Sequence, residues 1–169
     1  MFPFTAAVLV SIVSTGLAST QTPNITSCSG KYYTTHVVVI DDVTITDAAV
    51  GKTMVIKYVG QLTQDLNDSP SLKFTITKNN GGGQVSCLYD LGSCDYDLCG
   101  GSSDTEMEIG APWNNTCPIP VGSYDTSVSL KIPYLALFFI GDGDLHVKME
   151  IINGGTAMEC IEMNVQVKI

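Results

Sequence analysis

The amino-acid sequence predicts an all-β protein: one domain, most simply a two-sheet β-sandwich of the immunoglobulin-like kind. Three observations predict it. Apolar and polar residues alternate with a period of two along run after run, the pattern of strands with one face in a core. No stretch keeps the 3.6-residue apolar repeat of an amphipathic helix for about ten residues. About 150 residues follow a short apolar leader, with no repeat and no linker, which suffices for one domain burying roughly two-thirds of its surface.

The leader comes first. Residues 1–20 carry no charged side chain, residues 6–13 are almost wholly apolar, and small residues follow at Thr15, Gly16, Ala18 and Ser19. This reads as a secretory signal peptide over residues 1–20, cut after Ala18 or Thr20, with 21–169 as the mature domain. The apolar stretch is shorter than the ~20 residues of a spanning helix and runs into Ser and Thr. A chain that follows this route passes through an oxidising compartment.

The strands follow in order. Residues 31–42 hold Tyr32, Tyr33 and the run Val37 to Ile40, closed by Asp41 and Asp42. Met54, Ile56 and Tyr58 alternate with Val55, Lys57 and Val59, and Gly60 ends that run. Leu72, Phe74 and Ile76 alternate with Lys73, Thr75 and Thr77, and the Asn/Gly turn at 79–83 leads into a strand at 84–89. Tyr124, Val128, Leu130 and Ile132 are interleaved with Asp125, Ser127, Ser129 and Lys131. Leu145, Val147, Met149 and Ile151 alternate with His146, Lys148 and Glu150. Asn153, Gly154 and Gly155 turn the chain into a last strand with Ile161, Met163, Val165, Val167 and Ile169 on one face. Residues 132–140 break the pattern, being apolar everywhere but at Pro133. They read either as buried core or as an exposed loop whose Leu and Phe side chains mark a binding surface.

Composition excludes several functions. Net charge is −9 and the eight basic residues are all Lys, so no basic stripe exists for nucleic acid. Neither a paired C-x-x-C nor a Cys/His knuckle occurs, and His36 and His146 sit in alternating stretches, so no metal site is expected. No G-x-S-x-G elbow appears, and cysteines tied in bridges are not nucleophiles. Asp95 and Asp97 read as solvated surface in a turn-rich acidic segment rather than as glycosidase carboxylates, and Asp142 and Asp144 as a turn without a complete EF-hand. No catalytic residue, metal or cofactor is therefore expected. Sequons at Asn24, Asn67 and Asn114 suit a glycosylated secreted surface, with Pro70 weakening the middle one. The six cysteines (Cys28, Cys87, Cys94, Cys99, Cys117, Cys160) imply three bridges in an oxidising lumen, and fifteen pairings remain open on arithmetic alone.

The cysteine-rich stretch is the most specific part of the chain. It runs Cys87-Leu-x-x-Leu-Gly-Ser-Cys94-x-Tyr-x-x-Cys99 and is answered by Cys117-Pro-x-x-x-Gly-x-Tyr124; the apolar Pro-containing segment and then Gly155-x-x-x-x-Cys160-Ile follow before the terminal strand. This arrangement resembles the ganglioside GM2 activators, within the MD-2-related lipid-recognition (ML) family that also holds the Niemann-Pick type C2 sterol carriers and the group 2 mite allergens. The resemblance covers Cys28 to the C-terminus. It implies a β-cup whose two sheets part around a lipid cavity, and bridges Cys28–Cys160, Cys87–Cys94 and Cys99–Cys117. It also implies a non-enzymatic protein of the secreted or lysosomal lumen that lifts a lipid, a glycolipid by preference, from a membrane surface and presents it to a hexosaminidase-type hydrolase. Carriage of a sterol or phospholipid, and a secreted β-sandwich recognition module with a filled core, are the alternatives. On this reading the cavity is lined by Ile56, Tyr58, Phe74, Ile76, Leu130, Val147 and Met149, and Leu135, Leu137, Phe138 and Phe139 touch lipid. One departure stands out. The GM2 activators carry a further bridge between the positions of Cys99 and Cys117, and this chain has no cysteines for it.

Overall fold

A computed structural model describes residues 18–28 and 37–169. Residues 1–17 of the expected leader, and Tyr32, Tyr33 and His36 of the first expected strand, lie outside the described residues.

Period-two patterning becomes two antiparallel sheets packed face to face. One holds β1 (Thr20–Gln21), β3 (Val38–Thr46), β4 (Thr53–Leu62) and β7 (Gly122–Lys131), in that order across the sheet. The other runs β2 (Thr26–Ser27), β9 (Thr156–Gln166), β8 (Asp144–Asn153), β5 (Ser71–Lys78) and β6 (Asp95–Asp97). Register sets the inner face. Ile56 lies opposite Val128 and Ile45, Phe74 opposite Met149, and Ile76 opposite Val147, so apolar side chains meet across neighbouring strands. Their sequence neighbours Lys57, Lys73, Ser127 and Lys148 point away from the interior.

The structure corrects the sequence reading in five places. Asp41 and Asp42 do not close the first strand but form a β-bulge inside β3. The register passes from Asp41 opposite Val59 to Thr44 opposite Lys57, which leaves one extra residue on β3. That residue inverts the alternation, so Val38 before the bulge and Val43 and Ile45 after it are all buried. Gly60 does not end β4; it lies within it, opposite Ile40 and Tyr124. Residues 84–89 form no strand. The chain doubles back on itself, with Leu88 and Leu91 exchanging backbone hydrogen bonds of 2.8 and 3.0 Å around Tyr89 and Asp90, both at positive φ. Ile169, expected on the inner face, is 65% exposed at the chain end.

The fifth correction is a helix, α1 (Asp104–Gly110), too short for periodicity to reveal. A capping box starts it: the Ser103 hydroxyl accepts from Glu106 N at 3.2 Å, and the Glu106 carboxylate accepts from the backbone N–H of Ser103 at 3.0 Å. The same carboxylate accepts from Ser102 N and Asp97 N, tying α1 to β6. These backbone donors, Ser103 first and then Asp97, hold Glu106 below the usual carboxylate range.

Three disulfides fasten the periphery, and no described cysteine is free. Cys28–Cys160 joins the segment after β2 to β9, Cys87–Cys94 closes the loop between β5 and β6, and Cys99–Cys117 joins the chain after β6 to the chain before β7. Their Cα separations are 5.5, 4.8 and 5.5 Å, within the usual span of a disulfide.

Candidate functional site

In a filled sandwich, side chains on the inner faces are buried at the centre and more open at the ends. Here the order is reversed. Met54, at one end of β4, is buried, whereas Ile56 and Tyr58 further along the same inner face are only half-buried. Phe74 and Ile76 on β5, Leu130 on β7 and Met149 on β8 are half-buried too, although all face the opposite sheet. The space between the sheets is therefore not filled by protein, and it holds a cavity of about 230 Å³.

Two packed clusters bound it. One gathers Ile45, Met54, Val85, Ile140 and Leu145 at one end; the other gathers Leu66, Leu72, Ile109, Ile119 and Ile151 at the opposite end. Ile40, Tyr58, Phe74, Leu130 and Met149 touch both clusters and form the waist of the cavity. Gly60 contributes to the opening: it faces inward without a side chain, and Cε2 of Tyr58 lies 3.9 Å from where its Cβ would be.

Ile56, Tyr58, Phe74, Ile76, Leu130, Val147 and Met149 all line this cavity. The apolar segment divides. Phe139 lines the cavity, together with Ala136 and Ile140, whereas Leu135, Leu137 and Phe138 do not. A 3-10 turn over Tyr134–Phe138 makes the division, its Ala136 carbonyl accepting from Phe139 N and Ile140 N at 3.0 Å. Tyr134 and Phe138 are left 74% and 84% exposed, with Leu135 and Leu137 also in the open. A second exposed apolar pair, Leu88 and Tyr89, stands on the Cys87–Cys94 loop. The 79–83 turn meets the chain that follows the apolar segment, where Asn79 donates to Asp144 at 2.8 Å and Asn80 to Asp142 at 3.4 Å.

The polar groups of the wall are few, and most are satisfied within it. The Tyr96 hydroxyl donates to the Asp90 carbonyl at 2.7 Å, Tyr124 to Pro120 at 2.6 Å, and Trp113 Nε1 to Leu98 at 2.6 Å. Burial, reinforced by the charges of Asp90 and Glu106, raises Tyr96 well above an ordinary phenol. Tyr58 is pushed up to about 12 by burial. Among the described residues, no Lys, Arg or His lines the cavity.

Comparison with known proteins adds little. No family model matches the chain, and no curated protein matches it. Among solved structures, it is similar to a Niemann-Pick type C2 protein from Japanese carpenter ant. The identity is 8% and the TM-score 0.43, over 89% of this chain and 96% of that one.

The remaining sequence candidates lie away from the cavity. Asp95 is exposed and 4.0 Å from Lys73, and Asp142 accepts from Asp144 N within a turn. His146 faces outward beside Asn164 and Glu162. Among the described residues, no cluster of His, Cys, Asp or Glu is able to hold a metal, and no helix is long and apolar enough to cross a membrane. Asn24, Asn67 and Asn114 are all exposed.

Sequence reasoning missed the β3 wall, namely Val38, Ile40, Val43 and Ile45, and the contributions of Ile109 and Trp113. The Ser103-x-x-Glu106 capping signature marks the start of α1 and was readable. The bulge was hidden, because two consecutive Asp residues resemble the end of a strand.

Proposed function

We propose that this chain is a lipid-binding protein of the ML kind, without enzymatic activity of its own. It takes a lipid from a membrane into the cavity between its sheets and carries or presents it. One observation carries this reading: the apolar inner faces enclose a space that the protein leaves empty at its centre. A packed core is worth more to stability than a hollow one, because the lining atoms of a void forgo dispersion contacts. An apolar occupant recovers them, contributing about 0.8 kcal/mol per buried methylene. The exposed Leu135, Leu137 and Phe138 supply the transient membrane contact, as apolar patches at binding surfaces do.

The cysteine motif around Gly92-Ser93-Cys94 favours a glycolipid as ligand and a hexosaminidase-type hydrolase as the receiving enzyme, since it is the ganglioside GM2 activators that the motif resembles. In this chain the motif is structural: a Cβ at Gly92 would strike the Ser86 carbonyl, and Ser93 Oγ accepts from Ile76 N at 2.9 Å. A secreted or lysosomal protein with sugars on Asn24, Asn67 and Asn114 completes the reading.

The test is organic extraction of the natively purified protein and mass spectrometry of the extract. Stoichiometric glycolipid is the expected result. Sterol or phospholipid in its place would reassign the ligand. An empty protein that also takes up nothing from vesicles would show that the cavity is not a lipid site.

A further inference from the structure

One polar group at the waist has no partner. Tyr58 lines the cavity, and its hydroxyl makes no hydrogen bond with any described residue, whereas those of Tyr96 and Tyr124 do. Nor is it sealed into the wall, since Asn115 Oδ1 is the one buried side-chain atom without a partner among the described residues. A hydroxyl that is neither bonded nor sealed, on a side chain facing the other sheet, is open to the cavity. Burial has nonetheless removed enough water to raise its pKa to about 12, so it is held as a neutral donor. The other polar lining residues do not serve this purpose: Gln61 is exposed, Asp90 offers only acceptors, and Thr105 lies on α1 beyond the waist.

The required ligand chemistry follows. A hydrogen-bond donor at the middle of an apolar cavity calls for an acceptor partway along an otherwise apolar molecule. An ionised carboxylate does not suit, because among the described residues no Lys, Arg or His lines the cavity to compensate it. We propose that Tyr58 sets the specificity of the cavity: its hydroxyl donates to a neutral oxygen of the lipid, an acyl carbonyl or a hydroxyl, so that such lipids are chosen over hydrocarbons of the same length. This rests on the lipid-binding reading above and adds to it which part of the ligand is recognised.

The experiment measures displacement of Nile red by N-methyldodecanamide, tetradecanol and tetradecane from the wild-type protein and from Tyr58→Phe. In the wild type the amide or the alcohol binds more tightly than tetradecane, and Tyr58→Phe lowers that preference by about five- to tenfold while tetradecane affinity holds. Loss confined to the amide identifies a carbonyl as the natural acceptor, and loss confined to the alcohol a hydroxyl. Equal preference in both proteins overturns the role of Tyr58 and leaves the lipid-binding reading intact. Failure of all three to displace the dye from wild type overturns the lipid-binding reading itself. Infrared spectroscopy of the amide in the wild-type complex needs no variant. A carbonyl band shifted down from its frequency in cyclohexane supports the bond if Tyr58→Phe misfolds, and an unshifted amide band with tetradecanol bound no better than tetradecane overturns the proposal.

Discussion

The same substitution placed at two inward-facing isoleucines separates a hollow sandwich from a filled one. Ile56 lies on β4 at the cavity wall and is half-buried, whereas Ile161 on β9 is 5% exposed, does not line the cavity and follows the bridged Cys160. Ile→Phe adds about three carbons at either site. At Ile161, almost fully buried and bordering only the groove beside β2, the larger ring has to displace packed neighbours, and such overpacking costs about 1–3 kcal/mol. At Ile56 the added atoms enter the cavity and withdraw roughly 40 Å² of apolar surface from water, which contributes about 1 kcal/mol in favour of the folded state. The two variants should therefore differ by about 2–4 kcal/mol. In urea unfolding with the disulfides intact, that places their midpoints about 1–2 M apart. Ile56→Phe should also take the room of about three ligand methylenes and weaken a long-chain lipid by roughly 2.4 kcal/mol, about fiftyfold. If Ile56→Phe costs as much as Ile161→Phe, and lipid affinity does not change, the interior is full and the carrier reading fails.

Further predictions follow from individual side chains and from the net charge. Phe138→Ser should leave stability within about 0.5 kcal/mol, because the ring is 84% exposed, yet should weaken vesicle flotation. Phe139→Ser should instead disturb the cavity wall, lowering stability and lipid uptake. Wild-type docking to anionic vesicles should strengthen as the pH falls from neutral toward the sequence pI of about 4.3, where the net charge of −9 and its repulsion are lost; flotation indifferent to pH would refute this. Ser103→Ala removes the N-cap of α1 and should cost about 0.5–2 kcal/mol, read by urea unfolding; an unchanged midpoint would show that α1 does not depend on its cap. Tyr58 ionises with more difficulty folded than unfolded, so its contribution is complete below pH ~10 and is lost as pH rises through about 12. That loss is on the order of 3 kcal/mol, and Tyr58→Phe should flatten the alkaline limb of the stability profile; an identical limb in the variant would refute the assignment.

The strands and the cavity wall were legible wherever the alternation ran unbroken. Along β4, β5, β7 and β8 the polarity of every second residue fixes the inward face, and the seven wall candidates fall on it. What escaped was whatever depends on a single backbone conformation. Asp42 at φ 51° belongs to the β3 bulge, and its type alone does not distinguish a bulge from a turn. Residues 84–89 alternate like a strand, but only Gln84 and Val85 pair with β5; the Cys87–Cys94 bridge and the tight turn at Tyr89 and Asp90 fold the rest back on the loop itself. The apolar run 132–140 offered core and exposed surface as exclusive readings. The structure supplies both, because a 3-10 turn sends Ala136, Phe139 and Ile140 inward and Leu135, Leu137 and Phe138 outward.

The disulfides show how a hollow sandwich stays closed and still admits a ligand. Cys28–Cys160 spans 132 residues of sequence, and closing so long a loop in the unfolded chain is worth roughly 4–5 kcal/mol in chain-entropy terms. It fastens one margin of a single sheet. Cys87–Cys94 is confined to a loop, and only Cys99–Cys117 links the edge strand of one sheet to the approach of an edge strand in the other. No bridge crosses the waist. There the two sheets meet through Ile40, Tyr58, Phe74, Leu130 and Met149, none of them fully packed, and the Met149 thioether adapts its shape readily. Stability thus resides in the two packed ends and the stapled margins. The middle remains able to rearrange side chains around an incoming lipid without parting a hydrogen-bonded strand pair.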